Sequence, residues 1–197
     1  MGEEYTLKKV YKNEWSDKGG IHTYIDYYSK IFDAYKEKEI YLLEIGIFQG
    51  GSLKLWETYF KKGIIYGIDT WSALKKRGIN SPKFLNVIDM NIGKGHPIIN
   101  ESNIVIYTID GTKEEEVNSV FRNSVFDIVI DDGSHKIEDQ ISSFNIFYPK
   151  LKEGGIYIIE DVVEDSIKKL KQLNDKLEIV DLRNIRNVFD NILAVVK

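Results

Sequence analysis

Ile128-Val-Ile-Asp-Asp-Gly-Ser-His135 and, further on, Ile156-Tyr-Ile-Ile-Glu-Asp161 are apolar runs that each end abruptly in carboxylates. Runs of this kind suit strands buried on both faces of a parallel sheet, and ligands of such sheets gather at the strands' carboxyl ends. Asp131, Asp132, His135, Glu160 and Asp161 are therefore expected in one crevice. Neighbouring residues on a strand point to opposite faces, so if Asp132 looks into the reaction centre, Asp131 looks toward the helix layer or a cofactor. Taken singly, Asp132 reads as a turn residue before glycine and His135 as a helix start. Their convergence is what points to chemistry, because three carboxylates beside an imidazole repel one another unless a cation or protons relieve them.

Upstream, Ile40-Tyr-Leu-Leu-Glu-Ile-Gly46 reads as the first strand, followed by the turn Ile47-Phe-Gln-Gly-Gly-Ser52 and a helix with Leu53, Trp56, Tyr59 and Phe60 on one face. A strand, a glycine turn and a helix start form a cradle whose N–H groups can meet a ligand. The next strand, Ile64-Ile-Tyr-Gly-Ile-Asp69, ends in an acid 23 residues after Gly46, the spacing of the carboxylate that holds ribose hydroxyls in dinucleotide folds. The nicotinamide fingerprint itself fails, since Ile47 and Phe48 follow Gly46 where x-Gly is required. A dehydrogenase is disfavoured.

Ile21, Tyr24, Ile25, Tyr28, Ile31, Phe32 and Tyr35 recur at helical spacing before the first strand, a helix packed on the sheet whose His22 end could close over the site. From Thr70 to Ser102 no periodicity holds, and a connection this long usually serves a function; Trp71, Arg77, Asp89 and His96 within it could each touch ligand. Strand 103–109 ends at Asp110-Gly-Thr112, and Glu114-Glu-Glu reads as an acidic first helical turn. A helix follows His135 with Ile137, Ile141, Phe144, Tyr148 and Leu151 along it. After Asp161 come a helix near 166–174 and two strand-like runs, 177–182 and 191–196, suited to an antiparallel pair at the sheet edge.

The chain has 197 residues, 43% of them apolar and 29% charged, which excludes disorder and suits a single domain of 1–197. Within it, 1–38 reads as an amino-terminal helical lid and 39–197 as the core. A balance of 27 Lys plus Arg against 31 Asp plus Glu argues against nucleic-acid binding. No run approaches a membrane span, no signal peptide is apparent and no cysteine is present, so a cytoplasmic protein without thiolate metal sites is expected. The aromatic faces at Tyr24, Tyr27 and Tyr28 could support a homo-oligomer.

Taken together, the order of elements and Leu42-Leu-Glu-Ile-Gly-Ile-Phe-Gln-Gly-Gly-Ser52 resemble class I S-adenosylmethionine-dependent methyltransferases. The resemblance implies a Rossmann-like α/β fold: a seven-stranded, mostly parallel sheet with a terminal antiparallel strand and helices on both faces. The usual Gly-x-Gly-x-Gly is reduced here to Gly46, Gly50 and Gly51. Asp131-Asp-Gly-Ser-His135 with Glu160-Asp161, together with Ser16-Asp-Lys-Gly-Gly-Ile-His-Thr-Tyr24, is similar to the macrocin and mycinamicin sugar O-methyltransferases, which are magnesium-dependent. That resemblance implies Mg²⁺ on Asp132, Glu160 and Asp161, with His135 as general base and Asp132 shared between metal and catalysis. It places the methionine part of S-adenosyl-L-methionine on Glu44, Gly46, Gln49, Gly50, Gly51 and Ser52, the ribose on Asp69 and the adenine side at Asp110. The implied acceptor is a small-molecule sugar or glycoconjugate hydroxyl. Two rival readings share the fold: a metal-independent methyltransferase acting on an amine, carboxylate or phosphate-like group, and a non-catalytic S-adenosylmethionine-binding subunit.

Overall fold

The computed structural model describes residues 5–85, 90, 97–99 and 103–197. Two short helices, α1 (Leu7–Val10) and α2 (Tyr24–Ile31), precede an alternation of strands and helices. In chain order these are β1 (Tyr41–Ile45), α3 (Gly51–Tyr59), β2 (Ile64–Ile68), α4 (Ser72–Lys76), β3 (Ile98–Ile99), β4 (Ile104–Tyr107), α5 (Glu114–Phe121), β5 (Phe126–Asp131), α6 (Ile137–Phe147), β6 (Leu151–Ile159), α7 (Ile167–Leu170), β7 (Glu178–Asp181) and β8 (Ile192–Val196). The strands among the described residues join one sheet in the order β3-β4-β2-β1-β5-β6-β8-β7. From β4 to β6 the neighbours run parallel, while β8 runs against both β6 and β7. The expected seven strands are thus present, and β3 adds an eighth, antiparallel to β4. Two residues are too few to leave a periodic signal, and α4, also inside 70–102, is little more than one turn, which is why that segment reads as loop.

The apolar runs are continuous because both faces of the sheet are covered. Leu42, Ile128, Ile130, Ile156, Ile158 and Leu193 pack toward α1–α4 with Trp56, Phe32 and Phe60. Their strand neighbours Leu43, Ile45, Val129, Tyr157 and Ile159 pack toward α5–α7 with Phe121, Phe144 and Phe147. The period of two assigns the polar ends as well: Glu44, Asp132 and Glu160 continue the α1–α4 face, and Asp131 the opposite one.

Register sets the level of these acids. Glu44 lies beside Ile130, and Asp131 beside both Ile45 and Ile159. The ladder continues one residue further, with Asp132 N–H donating to Ile45 O and Glu160 N–H to Asp131 O, each at 2.9 Å. No helix among the described residues is long and apolar enough to cross a membrane.

The expectation of exposed tyrosines for self-association is corrected here. Tyr24 and Tyr28 are fully buried, and Tyr27 is half-buried and packed against the same core. Tyr28 meets Phe32 and Trp56 with ring centroids 4.9 and 5.8 Å away, so the aromatic face of α2 is spent on the sheet.

At the end of β1, Gly46 has φ +82°, and a Cβ there would collide with the carbonyl of Asp132. Gly78 also has a positive φ, +69°, but open space around it. In denaturant unfolding, Gly78→Ala should cost about 1–2 kcal/mol, the left-handed penalty alone. Gly46→Ala should cost clearly more; equal losses would show that the β1–β5 approach is not constrained as described.

Candidate active site

The glycine turn closes on a carboxylate. Asp69 Oδ2 accepts the N–H groups of Ile47 at 3.0 Å and Phe48 at 2.9 Å, and its Oδ1 accepts Trp71 N–H at 2.6 Å. Burial raises Asp69 above the ordinary aspartate range, opposed by those N–H groups. Around this turn lies a cleft of about 1030 Å³, walled by Gly46, Gln49, Gly51, Ser52, Asp69 and Asp110 among others, and reaching Asp131, Asp132, His135 and Asp161. That is room for a cofactor-sized ligand. Asp110 closes its own turn by accepting from Thr112 N–H and Oγ1 at 2.9 and 2.7 Å. On the far wall, Arg77 stacks over Phe48, while Trp71 is buried and donates to Thr108 Oγ1 at 2.9 Å, a packing role. Asp89 and His96 lie outside the described residues.

Behind that wall, on the α1–α4 face, sits a buried ion cluster. Lys18, 1% exposed, places Nζ 2.6 Å from Asp132 Oδ2, 2.6 Å from Glu160 Oε2 and 3.4 Å from Glu44 Oε1. Trp56 Nε1 donates to Glu44 Oε2 at 3.0 Å, and Tyr28 O–H donates to Glu160 Oε1 at 2.7 Å. Burial would push the Lys18 ammonium down, but Asp132, Glu160 and Glu44 outweigh it and hold its pKa well above the usual lysine range. Burial likewise opposes ionisation of Asp132, yet Lys18 and His135 carry it below the ordinary range. Glu44 is pushed up to about 7 by burial despite Lys18. Glu160 is also raised, by burial first, with Asp132, Asp161 and Glu44 adding to it and Lys18 opposing. One ammonium faces three carboxylates here, and burial opposes the ionisation of each.

On the solvent side, Asp132 Oδ1 lies 3.2 Å from His135 Nε2, and Asp161 Oδ2 lies 3.4 Å from His135 Nδ1. One ligand atom each from Asp132, His135 and Asp161 falls within 4.8 Å of the others, a donor group that suits a hard divalent cation through its two carboxylates. Both His135 (φ +58°) and Asp161 (φ +53°) hold left-handed backbone, which costs non-glycine residues roughly 1–3 kcal/mol each and is typical of functional sites. The hydroxyl of Tyr24 lies 2.8 Å from Asp161 Oδ1 and 2.9 Å from the carbonyl of Asp190, and His22, stacked on Tyr24, stands 3.7 Å from the same carboxylate. Asp131 turns to the other face: Oδ1 accepts Gly133 N–H at 3.2 Å, buried Oδ2 has no hydrogen-bond partner, and burial lifts its pKa to about 7.

The structure thus brings Asp132, His135 and Asp161 together as the sequence suggests. Glu160 and Glu44 lie one step deeper, engaged with Lys18, and Glu44 and Gly50 are not on the cleft wall. Lys18 is the residue that sequence reading missed. It is one of 27 Lys and Arg, and the turn Ser16-Asp-Lys-Gly-Gly20 carries no periodic cue. Its signal is contextual: a cation in a glycine turn of a chain whose strand ends are rich in carboxylates.

Strand order, the reversed β8 and a ligand-sized cleft at the glycine turn define the class I methyltransferase fold. Within that class the chain resembles the macrocin- and mycinamicin-type sugar O-methyltransferases. It is 32% identical over 154 residues to demethylmacrocin O-methyltransferase of Streptomyces fradiae, covering 73% of this chain and 33% of that protein. It is 31% identical over 152 residues to mycinamicin VI 2″-O-methyltransferase of Micromonospora griseorubida, covering 73% and 32%. The chain therefore spans about a third of the length of these O-methyltransferases. Among solved structures, the MycE methyltransferase of the mycinamycin pathway, in complex with Mg and SAH, superposes with a TM-score of 0.69 at 22% identity over 98% of this chain and 54% of that one. That likeness shows the fold. No family model matches the chain.

His135 carries the pH signature of this arrangement. Its hydrogen bond to Asp132 raises it most, burial opposes, and the charges of Asp132, Asp161 and Asp131 add to bring it to about 9. A folded-state pKa above the unfolded 6.5 makes its stabilisation complete below about 6.5 and lost as pH rises through about 9. In metal-free protein the His135 ring should titrate near 9 by NMR. Asp132→Asn should bring it down; a ring titrating near 6.5 in the parent protein would contradict the geometry.

Proposed function

We propose that this chain is an S-adenosylmethionine-dependent O-methyltransferase that uses Mg²⁺ to methylate a hydroxyl of a sugar borne by a small natural product. The observation that carries the reading is the placement of Asp132, His135 and Asp161 at the mouth of the cleft whose other end is the glycine turn. Relatives named as sugar O-methyltransferases support it, as do MycE complexes holding Mg and SAH, one of them with mycinamycin VI.

In this reading the turn from Gly46 to Ser52, its N–H groups oriented by Asp69, holds the methionine portion of the cofactor. Asp69 Oδ1, which accepts one N–H group, faces the ribose, and Asp110 the adenine side. Asp132 and Asp161 hold the divalent ion. Glu160, the third ligand expected from the resemblance, stands behind them on Lys18 and Tyr28. When bound, the sulfonium supplies an electrophilic methyl and the ion supplies Lewis-acid polarisation of an acceptor hydroxyl.

A hydroxyl is a poor nucleophile at neutral pH, so its proton must leave as the carbon–oxygen bond forms. His135 takes that proton, a contribution of roughly 10² to 10⁴ in rate when well placed. It can accept near neutral pH only once the charges of Asp132 and Asp161 are engaged elsewhere, because those carboxylates keep the ring charged up to about 9. An ion held by Asp132 and Asp161 would occupy those charges and leave the imidazole free to accept a proton. The cleft walls supply in-line alignment of oxygen, methyl and sulfur, a positioning effect.

Calorimetry should detect S-adenosylmethionine binding, and labelled methyl transfer to glycosides with vicinal hydroxyls should stop with chelator and return with Mg²⁺. His135→Ala should lower turnover by about 10² or more while leaving cofactor affinity near the parent value. Full activity in chelator would remove the metal from this reading, and loss of cofactor binding in His135→Ala would misplace the histidine.

A further inference from the structure

Asp131 and Gln140 take no part in the chemistry above, yet both are buried, 3% and 2% exposed, and both line the cleft. Each is oriented by one hydrogen bond and keeps one oxygen open. Asp131 Oδ1 accepts Gly133 N–H at 3.2 Å, while its Oδ2 has no hydrogen-bond partner. Gln140 Nε2 donates to the carbonyl of Glu160 at 3.2 Å, which fixes the amide and leaves Oε1 unpartnered. The two hang on one stretch of backbone, since Glu160 N–H donates to Asp131 O at 2.9 Å. Buried acceptors left open in this way are costly unless a ligand supplies the hydrogens.

The cleft beside them suits a flat apolar ring. Ile45, Ile68 and Ile109 line it, and the turns after β4 and β5 carry glycines, Gly111 and Gly133, at the points where they approach Ile45. A Cβ on Gly111 would lie 3.0 Å from Ile45 Cγ2, and one on Gly133 3.6 Å from the same methyl. Apolar walls with a few convergent polar groups are the usual form of a small-molecule site. Asp110 is engaged in its own turn, its Oδ1 taken by Thr112. We propose that Asp131 and Gln140 select the base of the cofactor: Asp131 Oδ2 and Gln140 Oε1 accept the two N–H bonds of a 6-aminopurine and reject a 6-oxopurine, which would set a third acceptor against them. The inference rests on the S-adenosylmethionine reading above. It makes Asp131 a specificity-determining residue, with a role separate from that of its neighbour Asp132.

Calorimetry with S-adenosylhomocysteine and S-inosylhomocysteine tests it. The parent protein should bind the inosyl compound at least about 10²-fold more weakly. Asp131→Asn keeps an oxygen for Gly133 N–H and sets an N–H donor in place of Oδ2. It should weaken adenosyl binding, strengthen inosyl binding and shrink that ratio about tenfold or more. A side chain that only supports the fold would weaken both alike. Equal affinities in the parent, or an unchanged ratio in Asp131→Asn, overturn the inference and leave the cofactor reading standing; no binding of S-adenosylhomocysteine by the parent removes both. Should Asp131→Asn fail to fold, as read by circular dichroism, Gln140→Met, which deletes the other acceptor, should fold and narrow the ratio. An unchanged ratio there, or an unfolded protein, overturns the inference.

Discussion

Like charge gathered at one end of a sheet is the constraint on which the rest of this structure depends. Parallel register places Glu44, Asp132 and Glu160 on one face at neighbouring strand ends, linked by backbone hydrogen bonds that leave little freedom to spread. Burying such a set without compensation is prohibitive. The fold answers with an ammonium from residue 18, with the hydroxyls of Tyr24 and Tyr28, and with raised pKa values on Glu44 and Glu160.

This compensation comes from the amino-terminal segment, which makes that segment part of the site. Tyr28 reaches Glu160 while its ring stacks on Phe32, and Tyr24 reaches Asp161 and the carbonyl of Asp190. Asn191 accepts Thr23 N–H on Oδ1 at 3.1 Å, so β8's entry is tied to the same helix start. Apolar packing and charge neutralisation thus act through the same side chains of α2. Disturbing one disturbs the other.

Much of this was legible in the residues. Continuous apolar runs ending in Asp131-Asp132 and Glu160-Asp161 marked buried parallel strands, and the period of two separated Asp132 from Asp131, as the structure bears out. The glycine turn and the reversed terminal strand were equally readable, since each rests on local pattern. Other features were not. The tyrosines of α2 looked available for self-association because an amphipathic stripe does not say what covers it. The two-residue β3 left no periodic trace. Glu160 and Asp161 looked equivalent, yet Asp161, on left-handed backbone, lies beside His135 while Glu160 stays with Lys18 and Tyr28.

The sequence by itself determined the layers, the strand ends and the residue types collected there, because burial periodicity and turn chemistry act over a few neighbours. Only the tertiary structure decided which acids face which cation. Lys18 meets Asp132 across 114 positions of chain and Glu160 across 142. No local pattern encodes that choice. It follows from electrostatics in a dry interior, where the nearest available positive charge must go to the densest cluster of carboxylates.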